Sequence, residues 1–279
     1  MRDSSNRTGS GLVINAIRQV LERGAVATLA TIIEAPADIG AKLFVAESGE
    51  ISGDLGNASL NAAISQFASS FLESREEARA FKVREFAPGL TAFGEMRILF
   101  ERIQPEPRIV ICGAGHVGAA LAKLASFAGY RATLIDDRPE FVTRERFPDE
   151  LIELIATESW AEGAHAAIGN GAGVSVAIVT RGHTEDEACL RAVISTNPDY
   201  IGLIGSKRRT NIVLDRLRAA GVPEGKLNRV RAPVGLDIGA VTPEEVALAI
   251  LAEIVAERRG GEGGSLSAWR RKARVRDEG

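Results

Sequence analysis

The residues with the clearest chemical meaning form a glycine turn. Gly113-Ala114-Gly115-His116-Val117-Gly118 spells G-x-G-x-x-G, follows the apolar run 109–112 and opens a helical pattern, which is the context this spacing needs. The first glycine permits a tight turn, the second lets the backbone approach a pyrophosphate, and the third lets helix and strand pack closely. The helix start offers free N–H groups and a positive partial charge to phosphate. Asp136 ends the next strand, 23 residues after Gly113, where a carboxylate binds ribose hydroxyls and disfavours a 2′-phosphate. NAD or FAD is therefore expected over NADP. Asp137 and Arg138 follow directly, and the charge of Arg138 works against that preference. The competing reading is a strand-to-helix turn that binds nothing.

Two further loops are unusually polar: Thr180-Arg181-Gly182-His183-Thr184-Glu185-Asp186 and Gly205-Ser206-Lys207-Arg208-Arg209. In an open parallel sheet, ligands bind beyond the carboxyl ends of the strands, where both loops belong. The first brings an imidazole and two carboxylates. His183 suits a general base, an anchor or a metal ligand, or it only stabilises its loop. The second brings three cations to a helix start, suited to phosphate or another anion, or it is a solvated basic turn. Cys112 and Cys189 read as core thiols, and His116 points near the nucleotide. His165, in an Ala/Gly-rich stretch, carries little information. No Cys/His/Glu spacing makes a metal site.

These residues need a doubly wound scaffold. After Pro105 and Pro107 the pattern is strand, glycine-rich turn and helix, repeated: strands over RIVICGAG, RATLIDDR, LIELIA, VSVAIVTRGH and YIGLIGSKRR, with helices from His116 to a stop at Gly129, over EDEACLRAVIST, and from Thr210 to Gly221. A last helix has Thr242 as N-cap, Pro243 at its first position, Glu245 closing a capping box and Gly260 ending it. Such alternation implies a parallel sheet. Before the prolines, 11–23 reads as an amphipathic helix, AVATLATII and AKLFVAES as strands, 47–59 as a turn-laden loop, 58–80 as helix, and KVREFA and EMRILFERI as strands. The expected layout is an α/β domain over 1–103, a proline-rich linker over 104–108, a Rossmann-like dinucleotide-binding domain over 109–260, and a flexible basic tail over 261–279.

Composition removes several function classes. Lys+Arg 34 against Asp+Glu 37 in 279 residues gives net charge −3, which argues against nucleic acid as the main partner. Two cysteines make neither a disulfide framework nor a four-thiolate zinc site. The first residues are polar, and no apolar run approaches the roughly 20 residues that span a bilayer. Free thiols and the lack of an apolar leader make the cytoplasm the expected location, without stable membrane insertion. A homodimer is the default expectation for oligomeric state.

The runs GAGHVGAALAKLASFAGY, LIDDRPEF, VTRGHTEDEACL, YIGLIGSKRR and APVGLDIGAVTPEEVALAILAEIVAERRG, in order over 108–260, resemble the XdhC/CoxI family of maturation factors for molybdenum hydroxylases. The resemblance implies an accessory factor rather than a turnover enzyme. Such a factor takes the molybdenum cofactor as a transient client ligand, assists sulfur or metal insertion, and delivers the cofactor to an apo-hydroxylase of the xanthine dehydrogenase or carbon monoxide dehydrogenase type. Its partners are that apo-enzyme and other maturation factors.

The N-terminal region is similar too, but departs at two places. The family's Gly-Gly-Cys-hydrophobic-Glu turn reads Gly53-Asp54-Leu55-Gly56-Asn57 here, with Leu55 for the thiol and Asn57 for the glutamate; its Cys-Gly-Gly-Glu segment reads Ala92-Phe93-Gly94-Glu95. The thiolate ligation that the resemblance implies has no thiol at either position, which points to a divergent member, one that fits the carbon monoxide dehydrogenase branch. Ser52, Gly53, Asp54 and Asn57 are expected to form a wall for the client cofactor. The glycine turn, Asp136, Asp137, Arg138, Thr180, Arg181, Gly182, His183, Gly205, Ser206, Lys207 and Arg208 are expected to hold the dinucleotide. Two other functions fit the residues: an NAD-dependent oxidoreductase with His183 and Asp186 as acid–base pair, and a nucleotide-sensing regulatory module.

Overall fold

A computed structural model describes residues 3–74, 76–169, 171 and 173–267 and divides the chain between Pro105 and Glu106 into two units. In the first, α1 (Asp3–Glu22) precedes β1 (Ala27–Glu34), β2 (Lys42–Ala46), β3 (Ile51–Gly53), α2 (Ala58–Glu73), β4 (Ala78–Lys82), the single-turn α3 (Val83–Phe86) and β5 (Arg97–Ile103). The sheet order is β3-β2-β1-β5-β4, all antiparallel. Strand side chains alternate between faces, and both faces of β1 are covered. Ala27 and Leu29 pack with Val13, Ala16 and Val20 of α1. Ala30 and Ile32 pack with Leu60, Ile64 and Phe71 of α2. That double cover explains why the first six residues of β1 are all buried.

Three local readings differ from the structure. The helix read over 58–80 stops at Glu73, and the strand it hid, Ala78–Lys82, is the one that pairs with β5. KVREFA alternates like a strand, but Glu85 turns back to accept the Lys82 N–H at 2.7 Å and closes a helical turn over Val83–Phe86. The loop 47–59 contains the short strand β3.

The second unit runs β6 (Arg108–Cys112), α4 (His116–Phe127), β7 (Arg131–Asp136), β8 (Ile152–Ala156), α5 (Trp160–Ile168), β9 (Val174–Ile178), α6 (His183–Thr196), β10 (Tyr200–Leu203), α7 (Lys207–Ala219), α8 (Glu224–Leu227), β11 (Val230–Arg231) and α9 (Pro243–Arg259). Its six strands are parallel in the order β11-β10-β9-β6-β7-β8, the doubly wound Rossmann arrangement, whose strand order reverses between β6 and β9. Alternation splits β6: Ile109 and Ile111 face α4 and α9, while Val110 and Cys112 face α5 to α7. The last helix keeps the caps its sequence announces, with the Thr242–Glu245 box at one end and Gly260 left-handed at the other. The tail read over 261–279 lies outside the described residues from position 268 onward. No helix among the described residues is long and apolar enough to cross a membrane.

Candidate functional site

The three glycines of the turn after β6 differ in what requires them. Gly113 has φ +116, and a Cβ there would lie 2.6 Å from the Val179 carbonyl oxygen. A Cβ on Gly118 would lie 1.8 Å from the Gly113 oxygen. Both are therefore demanded by the fold itself. Gly115 is not: its φ of −66 suits any residue, and a Cβ there would meet nothing within 4 Å. The space beside Gly115, where the second glycine of this motif lets a pyrophosphate approach, is open, so the turn has room for a phosphate group. His116 and Val117 begin α4 beside it, His116 exposed.

At the end of β7, Asp136 is sealed at 1% exposure and fully engaged. One oxygen accepts from the Arg138 backbone at 3.0 Å and its Nε at 2.8 Å. The other accepts from the Ala114 N–H at 2.7 Å and Arg138 Nη2 at 2.9 Å. Burial pushes this carboxyl up, but the Arg138 side chain and the Ala114 and Arg138 N–H groups outweigh it and hold it below the usual carboxylate range. Asp136 thus clamps the glycine turn onto β7, with Arg138 stacked 3.6 Å above the centre of the Phe141 ring. Asp137 takes both Nη groups of Arg181, at 2.9 and 2.7 Å, which ties the β7 end to the β9 end.

Beyond β9, Thr180 is buried and donates to Asp186, itself fully buried. The Asp186 carboxyl also accepts from Arg209 Nε at 2.9 Å. Burial pushes its pKa up, and the Thr180 and Arg209 bonds recover only part of the shift. Asp186 therefore faces Thr180 and Arg209, and it makes no hydrogen bond with His183 among the described residues. His183 begins α6 behind Gly182. Gly205 leads into Ser206, which caps α7 by accepting the Arg209 N–H at 3.3 Å. His183, Ser206 and Arg208 line one cavity of about 350 Å³ together with Arg209, Ile212 and Arg216. Lys207 starts the same helix. Sequence reasoning missed Ile212 and Arg216, although positions 209, 212 and 216 recur every three to four residues and so share a helix face.

The two thiols lie in the core: Cys112 ends β6, Cys189 sits on α6, and both are fully buried. The hydrogen bond with Cys112, with burial added, pushes the Cys189 thiol far up, so it stays protonated. His165 uses Nε2 to join α5 to Ser195 of α6 at 2.9 Å.

Known families match both units. The model described as the XdhC Rossmann domain covers residues 109–254, and that of the XdhC and CoxI family covers residues 20–85. The chain belongs to the XdhC and CoxI family. It is 31% identical over 229 residues to the uncharacterized protein YqeB of Escherichia coli K12, covering 80% of this chain and 41% of that one. It is 34% identical over 164 residues to a probable xanthine dehydrogenase subunit of Bacillus subtilis 168, covering 58% and 46%. It is 25% identical over 155 residues to the molybdenum cofactor insertion chaperone PaoD of Escherichia coli K12, covering 56% and 41%. The chain thus spans less than half the length of each of these relatives. A crystal structure of a xanthine dehydrogenase from Bacillus halodurans shares the fold, with TM-score 0.50, 18% identity and 92% and 98% coverage.

Within this XdhC and CoxI family member, the N-terminal turn is occupied by its own bonds. Ser52 lies in β3 opposite Phe44. Gly53 has φ +97, and a Cβ there would lie 2.3 Å from the Lys42 carbonyl oxygen. Leu55 is 3% exposed and joins the core under α2. Asp54 accepts from Asn61 at 2.7 Å and the Gly56 N–H at 2.9 Å, which hold its carboxyl below the usual range. Asn57 caps α2 through the Leu60 N–H at 3.0 Å. Ala92 is exposed on a 3-10 turn over Thr91–Phe93, and Glu95 pairs with Lys82 and Arg84.

Proposed function

We propose that this protein is a maturation factor for a molybdenum hydroxylase of the xanthine dehydrogenase or carbon monoxide dehydrogenase type. It assists insertion of sulfur or metal and delivery of the finished cofactor in the cytoplasm. The observation that carries this reading is the match of both units to one family; a relative named as a molybdenum cofactor insertion chaperone supports it. Its partners are the apo-hydroxylase and other maturation factors. With Leu55 buried where the family pattern has a thiol, this chain works without thiolate ligation at that turn. Ser52, Gly53, Asp54 and Asn57 form a polar wall for the client cofactor, while another factor supplies the sulfur or metal. That division of labour suits the carbon monoxide dehydrogenase branch.

The Rossmann unit holds an adenine dinucleotide, NAD or FAD. The open space at Gly115 supports a pyrophosphate there. The 113–118 turn holds the phosphates on the start of α4, Arg138, fixed by the sealed Asp136, holds the adenosine side, and the loop 180–182 closes the other half. When bound, the dinucleotide supplies hydride or electron transfer, or acts as a fixed structural ligand. The oxidoreductase alternative loses its acid–base pair, because Asp186 is spent on Thr180 and Arg209.

Two experiments test the proposal. In a strain lacking this protein, the client hydroxylase is expected to assemble as polypeptide but to lack sulfur or metal at its active site; a fully loaded, active client would overturn the maturation role. Adding NAD, FAD or ADP is expected to raise the melting temperature; no shift with any of them would remove the dinucleotide.

A further inference from the structure

The cavity beside α7 is built differently from the glycine turn, and no residue of that turn lines it. Its lining is His183, Ser206, Arg208, Arg209, Ile212 and Arg216, around about 350 Å³, a size that accepts a small organic ligand. Its cations exceed the carboxylates available to them. Arg209 directs Nε and Nη2 to one oxygen of the buried Asp186, which fixes the guanidinium and leaves Nη1 unspent among the described residues. Arg216 must share Glu187 with Arg191, at 3.5 and 3.1 Å. Arg208 and His183 have no hydrogen bond or ion pair among the described residues. Ser206 accepts the Arg209 N–H and so keeps its own proton to donate. The first two N–H groups of α7 add donors that the helix does not use. Ile212 supplies the apolar side.

We propose that this cavity is a binding site for a phosphomonoester, separate from the dinucleotide. Guanidinium forks, a hydroxyl and main-chain N–H groups arranged on several sides match a tetrahedral dianion better than a planar carboxylate. Arg208 supplies the unpaired charge, Arg209 is held in place by Asp186, and the organic part of the ligand lies against Ile212. The assignment rests on the cavity and its unbalanced charge, and it stands whether or not the protein matures a molybdenum enzyme.

The test uses the full chain and its three histidines, whose ring resonances are followed by NMR at constant pH and ionic strength. The His183 signal is identified by its loss in His183→Gln. Inorganic phosphate and phenyl phosphate are titrated in, with benzoate as the carboxylate probe. The expected result is a saturable displacement of the His183 signal, tighter for phenyl phosphate than for phosphate, and weaker for benzoate. Arg208→Ala is expected to weaken phenyl phosphate by about tenfold or more with its melting temperature unchanged. Arg208→Lys, which keeps the charge but loses the fork, falls between. Saturating ADP is expected to leave the phenyl phosphate response in place. No saturable response, equal binding to Arg208→Ala, or benzoate binding as tightly as phenyl phosphate would overturn the proposal. So would displacement of phenyl phosphate by ADP, since the cavity would then be a subsite of the dinucleotide.

Discussion

The two halves of the parallel sheet end in carboxylates that look alike in sequence and behave oppositely. Asp136, at the β7 end, and Asp186, behind the β9 end, are both almost sealed and each holds an arginine. Asp136 receives N–H groups from Ala114 and Arg138 besides the Arg138 side chain, and its pKa falls. Among the described residues Asp186 receives a hydroxyl and a guanidinium without any backbone N–H, and its pKa rises. Main-chain donors come pre-oriented with the fold, so a carboxylate at a glycine turn gains charge stabilisation that a partner on a neighbouring helix does not match. The β7 end is therefore closed around its charge, whereas the β9 and β10 ends keep Arg208 and His183 uncommitted among the described residues.

Variants can break this comparison, beginning with the largest effect. Gly118→Ala places a methyl 1.8 Å from the Gly113 oxygen, so it is expected to cost about 3 kcal/mol by overpacking, read by chemical denaturation. Asp136→Asn leaves Arg138 half-paired and the glycine turn weakly clamped. A loss of about 2 kcal/mol at neutral pH is expected, below the range for a fully buried pair because Arg138 is 30% exposed. Asn57→Ala removes the cap of α2, at about 1 kcal/mol, and is expected to leave nucleotide binding unchanged. Asp186→Asn is the contrasting case, with an expected change within about 1 kcal/mol, because the fold already disfavours the charged form there.

The pH dependence sharpens the same contrast, because the two carboxyls move to opposite sides of the ordinary value of 3.8. A depressed pKa gives stability that is present above the ordinary value and lost as pH falls through the folded one. The deficit of Asp136→Asn relative to wild type should therefore shrink in acid. A raised pKa gives stability that is present below the ordinary value and lost as pH rises through the folded one. Asp186→Asn should therefore gain on wild type as pH rises through that interval. Denaturation midpoints of wild type and both variants across pH 3 to 7, a range of about four units around the ordinary carboxylate values, read both signs; parallel curves would remove the distinction.

Much of this architecture is visible in the residues. The glycine turn and the Thr242–Gly260 helix carry local signals that tertiary contacts reinforce. What escaped depends on contacts distant in sequence or on weak patterns. KVREFA has strand alternation, and only the Glu85 return bond makes it a helical turn. The α5 segment hides in small residues, with Gly163 fitted against the side chain of Thr157. Asp136 is visible as the residue that ends the strand, but its use by Ala114 and Arg138 is not, because saturation of a carboxylate depends on three-dimensional donors. Leu55 is legible as a missing thiol, whereas its place in the core follows only from the packing of α2.

In the proposed role, the open glycine turn is what the Rossmann unit contributes to maturation. Gly115→Ala is the direct probe, because the added methyl meets nothing in the protein and should leave the fold intact while obstructing a pyrophosphate. The decisive measurement is the activity per assembled client hydroxylase in a strain whose only copy of this protein carries Gly115→Ala. The prediction is a normally folded variant and a client as poorly loaded as in the full deletion. Client activity at the wild-type level would contradict that role.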